Sequence, residues 1–91
     1  MSRVARTVAI TNKRGLHARA SAKFVTLATG QPCEVRVEKD GSGAVTGTSI
    51  MGLMMLGAAK GDTVTISAEG EDAEAVVAAM CELVEAKFGE E

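Results

Sequence analysis

Apolar and polar positions alternate every second residue in some stretches of this chain and recur at helical spacing in others. Val4 to Ile10 reads VARTVAI, dominated by Val, Thr and Ile, and predicts a strand. Thr11 to Gly15 is polar, ends in Gly and reads as a loop. His17 to Thr29 contains neither Pro nor Gly, and its apolar residues Ala18, Ala22, Val25, Leu27 and Ala28 suit an amphipathic helix. Gly30-Gln31-Pro32 would end that helix. Cys33 to Lys39 alternates strictly between apolar and charged residues, the pattern of a strand with one buried face. Asp40-Gly41-Ser42-Gly43 is a turn signal, after which Ala44 to Gly47 can pair back as a short strand. Ser49 is placed to cap a short apolar helix, Ile50 to Leu56, that Gly57 would stop. Thr63 to Ala68 alternates again and predicts a further strand. Glu71 to Phe88 predicts a long helix with Val76, Met80, Leu83, Val84 and Lys87 at helical spacing. Acids crowd its start, Lys87 falls in its last turn and Gly89 follows.

The element order is therefore β-α-β-β-α-β-α, an α+β arrangement. One sheet with its helices on one face would bury the apolar sides of both layers. The 91 residues suit one domain spanning 1–91, with no linker or internal repeat. Hydrophobic residues make up 46% of the chain, enough for a packed core. With no Trp, no Tyr and only Phe24 and Phe88 as aromatics, Ala, Val, Ile, Leu and Met must fill that core.

The net charge of −2 gives no reason to expect nucleic acid as a partner. The charges are unevenly placed. Arg3, Arg6, Lys13, Arg14, Arg19 and Lys23 lie in the first quarter, whereas the last quarter is rich in Glu. Two solvated faces would explain this, and so would a basic site near the start of the chain that meets anions. Cys33 and Cys81 have no close spacing, and with one His they do not supply a metal site, so no metal and no cofactor are expected. The first residues hold no apolar run of signal-peptide length, and no stretch is long enough to insert into a membrane. A cytoplasmic protein with two reduced, buried or half-buried thiols is expected.

Chemistry concentrates at Gly15-Leu16-His17-Ala18-Arg19, where loop becomes helix. A helix start presents unpaired backbone N–H groups and the positive end of the macrodipole, a ready site for phosphate. Arg19 adds a planar cationic fork suited to phosphate oxygens. The same helix end disfavours a charged imidazole and lowers its pKa, which leaves a lone pair to attack phosphorus. An isolated His at a helix start is also an ordinary capping residue. Ser49 likewise needs no role beyond capping. The helix after it is apolar on nearly every side, however, through Ile50, Met51, Leu53, Met54 and Met55. These residues either fill a core poor in aromatics or form an exposed, adaptable binding patch.

At these residues the chain resembles a known family. Gly15-Leu16-His17-Ala18-Arg19 looks like the phosphohistidine motif of HPr, the phosphocarrier of the bacterial phosphoenolpyruvate-dependent phosphotransferase system. Ser49-Ile50-Met51-Gly52-Leu53-Met54 looks like the regulatory serine motif of that family, at matching spacing. The stretch from Gly61 to Ile66 and the run from Glu69 to Ala73 fit as well, so the resemblance spans essentially the whole chain. It implies an open-faced β-sandwich, a four-stranded antiparallel sheet with three helices on one face. It implies a non-enzymatic carrier in which His17, on Nδ1, accepts a phosphoryl group from phosphorylated enzyme I and passes it to a IIA component. Arg19, with the Ala18 and Arg19 segment, would contact the phosphoryl group. Ser49 would be the target of an HPr kinase/phosphorylase, and Ala20, Ile50, Met51, Leu53 and Met54 would dock partner proteins, regulatory proteins among them. The usual family pattern has Pro after the motif arginine, whereas this chain has Ala20. That variation is similar to regulatory or nitrogen-type carriers, which act through phosphorylation-dependent docking, as opposed to carriers in sugar uptake.

Overall fold

A computed structural model describes residues 3–39 and 43–90 of the chain. Strands β1 (Arg3–Ala9), β2 (Val35–Lys39), β3 (Ala44–Thr46) and β4 (Thr63–Glu69) form one sheet in the order β1-β4-β2-β3. Every neighbouring pair is antiparallel. Helices α1 (Ala18–Thr29), α2 (Ile50–Met55) and α3 (Ala73–Glu85) cover one face, and a short 3-10 turn (Lys87–Gly89) ends the described chain. The expected order and the open-faced sandwich are both present. Of the expected turn after β2, Asp40-Gly41-Ser42 lies outside the described residues.

Register explains which face is covered. β4 sits between β1 and β2, so Val8 pairs with Val64, and Ile66 pairs with both Arg6 and Val37. Val8, Val35, Val37, Val64 and Ile66 are buried toward the helices. The alternate positions form the open face, where the Thr7 and Thr65 hydroxyls lie 3.1 Å apart. Val76, Val77, Met80 and Val84 on α3, together with Phe24 and Phe88, complete the core. Cys81 is buried and Cys33 half-buried, both as free thiols. Burial pushes the Cys81 thiol above its ordinary value, opposed by Arg6, which suits a packing role more than a reactive one.

Three details depart from the sequence expectation. The buried stripe of α1 is Ala20, Ser21, Phe24 and Ala28, while Ala18 is exposed. Phe24 decides the rotation of the helix, because its ring carries far more apolar area than any Ala on the other side. A Cβ at Gly47 would come within 3.1 Å of that ring, so the chain after β3 passes directly over it. β2 starts at Val35, where pairing with Ala68 begins, and not at Cys33.

The third departure concerns α3, which ends at Glu85 and not at Phe88. Lys87 and Phe88 both adopt left-handed backbone, with φ of 58° and 55°. Left-handed conformation costs an L-residue roughly 1–2 kcal/mol. Tertiary contacts offset that cost. Phe88 is 1% exposed, and its carbonyl accepts a hydrogen bond from Lys23 Nζ at 2.8 Å. Lys87 therefore does not lie in the last turn of α3, and the chain hooks back toward α1.

Candidate functional site

The site begins with the loop ahead of α1. Ile10 exchanges backbone hydrogen bonds with Asp62 and Gly61, and the Leu16 N–H donates to Ala58 O at 2.9 Å. Asp62 in turn accepts from the Ala59 N–H at 2.9 Å and from Lys39 Nζ at 3.3 Å. The loop holding His17 is thus pinned to the turn before β4. Gly15 is the closest point of approach. Its φ is +64°, and a Cβ there would meet Ala58 O at 2.4 Å and Ala59 Cα at 2.7 Å, both backbone atoms. Gly15→Ala is therefore expected to destabilise the fold by about 2–4 kcal/mol, from left-handed strain plus displacement of the facing turn. A urea midpoint unchanged from the parent protein would refute that account.

His17 is the N-cap of α1, in extended conformation with φ −74° and ψ −178°. Its Nδ1 accepts from the Arg19 backbone N–H at 3.2 Å. Its Nε2 lies 2.7 Å from Glu90 Oε2. The other Glu90 oxygen accepts from Asn12 Nδ2 at 3.1 Å, and Asn12, fully buried, also donates to Gly15 O at 2.8 Å. Lys13, Arg14, Arg19 and Lys23 line an open basin of about 540 Å³ with His17, Gly89 and Glu90. Four of the six N-terminal cations thus converge on one site. Arg3 lies instead by a separate depression that runs across β1, β4 and β2, with Glu34, Arg36 and Glu69.

The ring of His17 thus lies between two features, the Arg19 N–H at the positive end of α1 and the Glu90 carboxylate on its far side. Burial raises the Glu90 carboxyl, but hydrogen bonds from Asn12 and His17 outweigh this and hold it below its ordinary value. Asp62 is lowered too, chiefly by the Ala59 N–H and then by Lys39. For a carboxyl lowered in the folded state, the unfolded chain binds protons first as the pH falls. The stability these groups contribute is present above the unfolded value, near 4–4.5, and is lost as pH drops through the folded value. Acid titration of urea midpoints is expected to show a loss beginning below about pH 5, shallower in Glu90→Gln. Equal slopes in the two proteins would count against the Glu90 contacts.

The same residues fall within a family-wide pattern. Residues 4–86 match the family described as "PTS HPr component phosphorylation site". The chain belongs to the HPr family. It is similar to the phosphocarrier protein HPr of Pseudomonas aeruginosa, 46% identical over 83 residues that cover 91% of this chain and 92% of the relative. It is also similar to the phosphocarrier protein NPr of Shewanella violacea, 41% identical over 90 residues, 99% of this chain and 98% of the relative. The crystal structure of HPr from Thermoanaerobacter tengcongensis superposes with a TM-score of 0.87 at 47% identity, covering 100% of this chain and 99% of that one. This is a phosphocarrier family of the phosphotransferase system, and the HPr fold expected from the sequence is the fold observed.

Within this HPr-family chain the sequence-derived site residues fall into separate groups. His17, Ala18 and Arg19 come together at the start of α1, with Ala18 and Arg19 exposed. Ser49 caps α2, its Oγ accepting from the Gly52 N–H at 2.9 Å. Ile50, Met51, Met54 and Met55 are exposed, at 41%, 70%, 43% and 80%. The Met-rich helix therefore presents a patch and does not merely fill core. Two expected docking residues do not belong to it. Ala20 and Leu53 are each 0% exposed, because both face inward from their helices and pack in the core. Sequence reasoning missed Asn12 and Glu90. Asn12 had a local signal, a polar residue near the loop start, but Glu90 had none, being 73 positions from His17. Among the described residues no group of three or more His, Cys, Asp or Glu side chains is arranged to hold a metal ion. No helix among them is long and apolar enough to cross a membrane.

Proposed function

We propose that this chain carries a phosphoryl group on His17, taking it from phosphorylated enzyme I and passing it to a IIA component. One observation carries the reading: His17 Nδ1 holds a lone pair at the N-terminus of α1, inside a basin lined by Lys13, Arg14, Arg19 and Lys23. A backbone N–H can only donate, so the nitrogen it meets must be an acceptor. Nδ1 attacks the donor phosphorus, the new N–P bond forms, and the bond to the donor nitrogen breaks with its electron pair returning to the donor. The Arg19 N–H that had bonded to Nδ1 then faces a phosphoryl oxygen. The Ala18 and Arg19 backbone and the Arg19 guanidinium bind the transferred group, which suits helix-end anion binding. The surrounding cations raise the local concentration of anionic partners and speed encounter. Phosphoryl transfer needs positioning and charge stabilisation above all, so so open a site suffices. No cofactor is required, and the chain is a carrier restored at the end of each cycle.

Incubation with phosphoenolpyruvate and enzyme I is expected to give an acid-labile phosphate that maps to His17 and leaves on addition of a IIA protein. Label at another residue, or none, overturns the reading.

A second reading concerns the branch. Ala20, in the place usual for Pro, supports a regulatory role over sugar uptake, while the chain is similar to carriers named HPr and NPr alike. In that role Ile50, Met51 and Met54 dock partners, and Ser49 is the kinase target. A phosphate on Ser49 would add about −1.5 to −2 charges beside that apolar patch and weaken docking. Faster transfer from the phosphorylated chain to a nitrogen-type IIA than to a sugar-type IIA supports this branch, and the reverse order sinks it.

A further inference from the structure

We propose that Glu90 is a positioning residue for transfer at His17: its carboxylate holds the imidazole proton on Nε2, so that Nδ1 is the nucleophile and, later, the leaving atom. The inference rests on His17 as the carrier residue. It starts from the hook after α3. Two left-handed residues, Lys87 and Phe88, reverse the chain; Phe88 is buried and Lys23 Nζ clamps its carbonyl at 2.8 Å. This built reversal delivers Glu90 to the ring. Once there, the carboxylate is held on both oxygens, by Asn12 Nδ2 at 3.1 Å and by His17 Nε2 at 2.7 Å. Asn12 is itself fixed by its bond to Gly15 O.

An ionised carboxylate only accepts, so the proton at this contact sits on Nε2. The Arg19 N–H favours the same tautomer from the other side of the ring. The two contacts are unequal. The cap bond is long, at 3.2 Å, and lies among exposed atoms. The Glu90 bond is short, at 2.7 Å, and charge-assisted, a class roughly twice as strong as a neutral hydrogen bond. Glu90 therefore dominates the choice.

The proton balance follows in both directions. When Nδ1 bonds to phosphorus, the Nε2 proton stays in place and the positive charge gained by the ring lies against the Glu90 carboxylate. When the N–P bond breaks toward an acceptor, the electron pair returns to Nδ1 and the ring leaves as neutral imidazole. Without the Nε2 proton the leaving group would be an imidazolate, a far poorer one. This logic is that of the carboxylate that orients histidine in a serine-protease triad, where loss of the correct tautomer costs about 10⁴ in rate. Glu90 is partly exposed, so water can replace part of its role, and the expected loss here is about tenfold.

The test uses full-length protein with ¹⁵N-labelled histidine, unphosphorylated, at a pH where the ring is neutral. The parent protein is expected to show a protonated Nε2 and an unprotonated Nδ1. In Glu90→Ala the two shifts should move toward each other as the tautomers mix, and the rate of phosphoryl uptake from phosphorylated enzyme I should fall about tenfold. Glu90→Gln keeps a neutral acceptor and should restore the shifts more fully than the rate. A proton on Nδ1 in the parent, or unchanged shifts or unchanged rate in Glu90→Ala, overturns the proposal. Absence of label on the parent protein would instead overturn the carrier reading, and the ring shifts would still report whether Glu90 selects the tautomer.

Discussion

Replacing His17 by Ala is expected to reduce phosphoryl uptake from phosphoenolpyruvate and enzyme I to background. Nothing else on the wall of the basin offers phosphorus an uncharged nitrogen lone pair. Its other basic groups are Lys13, Arg14, Arg19 and Lys23, whose ammonium and guanidinium groups donate hydrogen bonds and accept none. The substitution also removes the N-cap of α1, since the Arg19 N–H would lose its Nδ1 acceptor. Loss of a capping side chain costs about 0.5–2 kcal/mol. A reader of the Ala variant alone could blame a frayed helix for the lost label. His17→Asn separates the two effects. Asn is among the best N-caps, so its urea midpoint should stay close to that of the parent. Its amide has no nucleophilic lone pair on nitrogen, so its label should be as low as in the Ala variant. If His17→Asn still accepted phosphate at the parental rate, the role assigned to His17 would be wrong.

Phe88→Ala is expected to destabilise the protein by about 3–5 kcal/mol, the usual cost of emptying a buried Phe site. Phe88 is 1% exposed, lies in the main core and belongs to the turn that packs against α1 and α3. For a domain of this size each kcal/mol is worth about 4–8 °C of midpoint, so the melting temperature should fall by roughly 12–40 °C. The substitution does more than open a cavity. Burial of this ring is what offsets the left-handed backbone at Lys87 and Phe88, so the hook should loosen and release Glu90 from His17. Calorimetry reads the first effect, and amide exchange at Glu90 reads the second. A fall in midpoint of less than about 5 °C would mean that the ring is not part of the cooperative core.

Much of this arrangement was legible along the chain, and the reasons are local. β1, β4 and α1 could be placed within two residues because alternation and helical spacing bury one face of an element whatever it packs on. Gly15 announced a loop, and Ser49 announced a cap, since those roles depend on the residue and its immediate neighbours. The helix start at His17 was readable for the same reason. Where several faces competed, the reading failed. Ala18, Ala22, Val25, Leu27 and Ala28 of α1 suggested one stripe, but the ring of Phe24 set another, and Ala20 and Leu53 turned inward away from the surface they were expected to share.

The sequence by itself determined the element order, the α+β class and the family, and it singled out the residue proposed to carry phosphate. Each of these follows from short-range patterns or from motifs read in order. Only the tertiary structure decided that four N-terminal cations face one basin, and that the end of the chain returns to complete it. The return depends on a buried ring and a lysine clamp outweighing the strain of two left-handed residues. That balance is set between segments far apart in sequence, so no local pattern around Glu90 carries it.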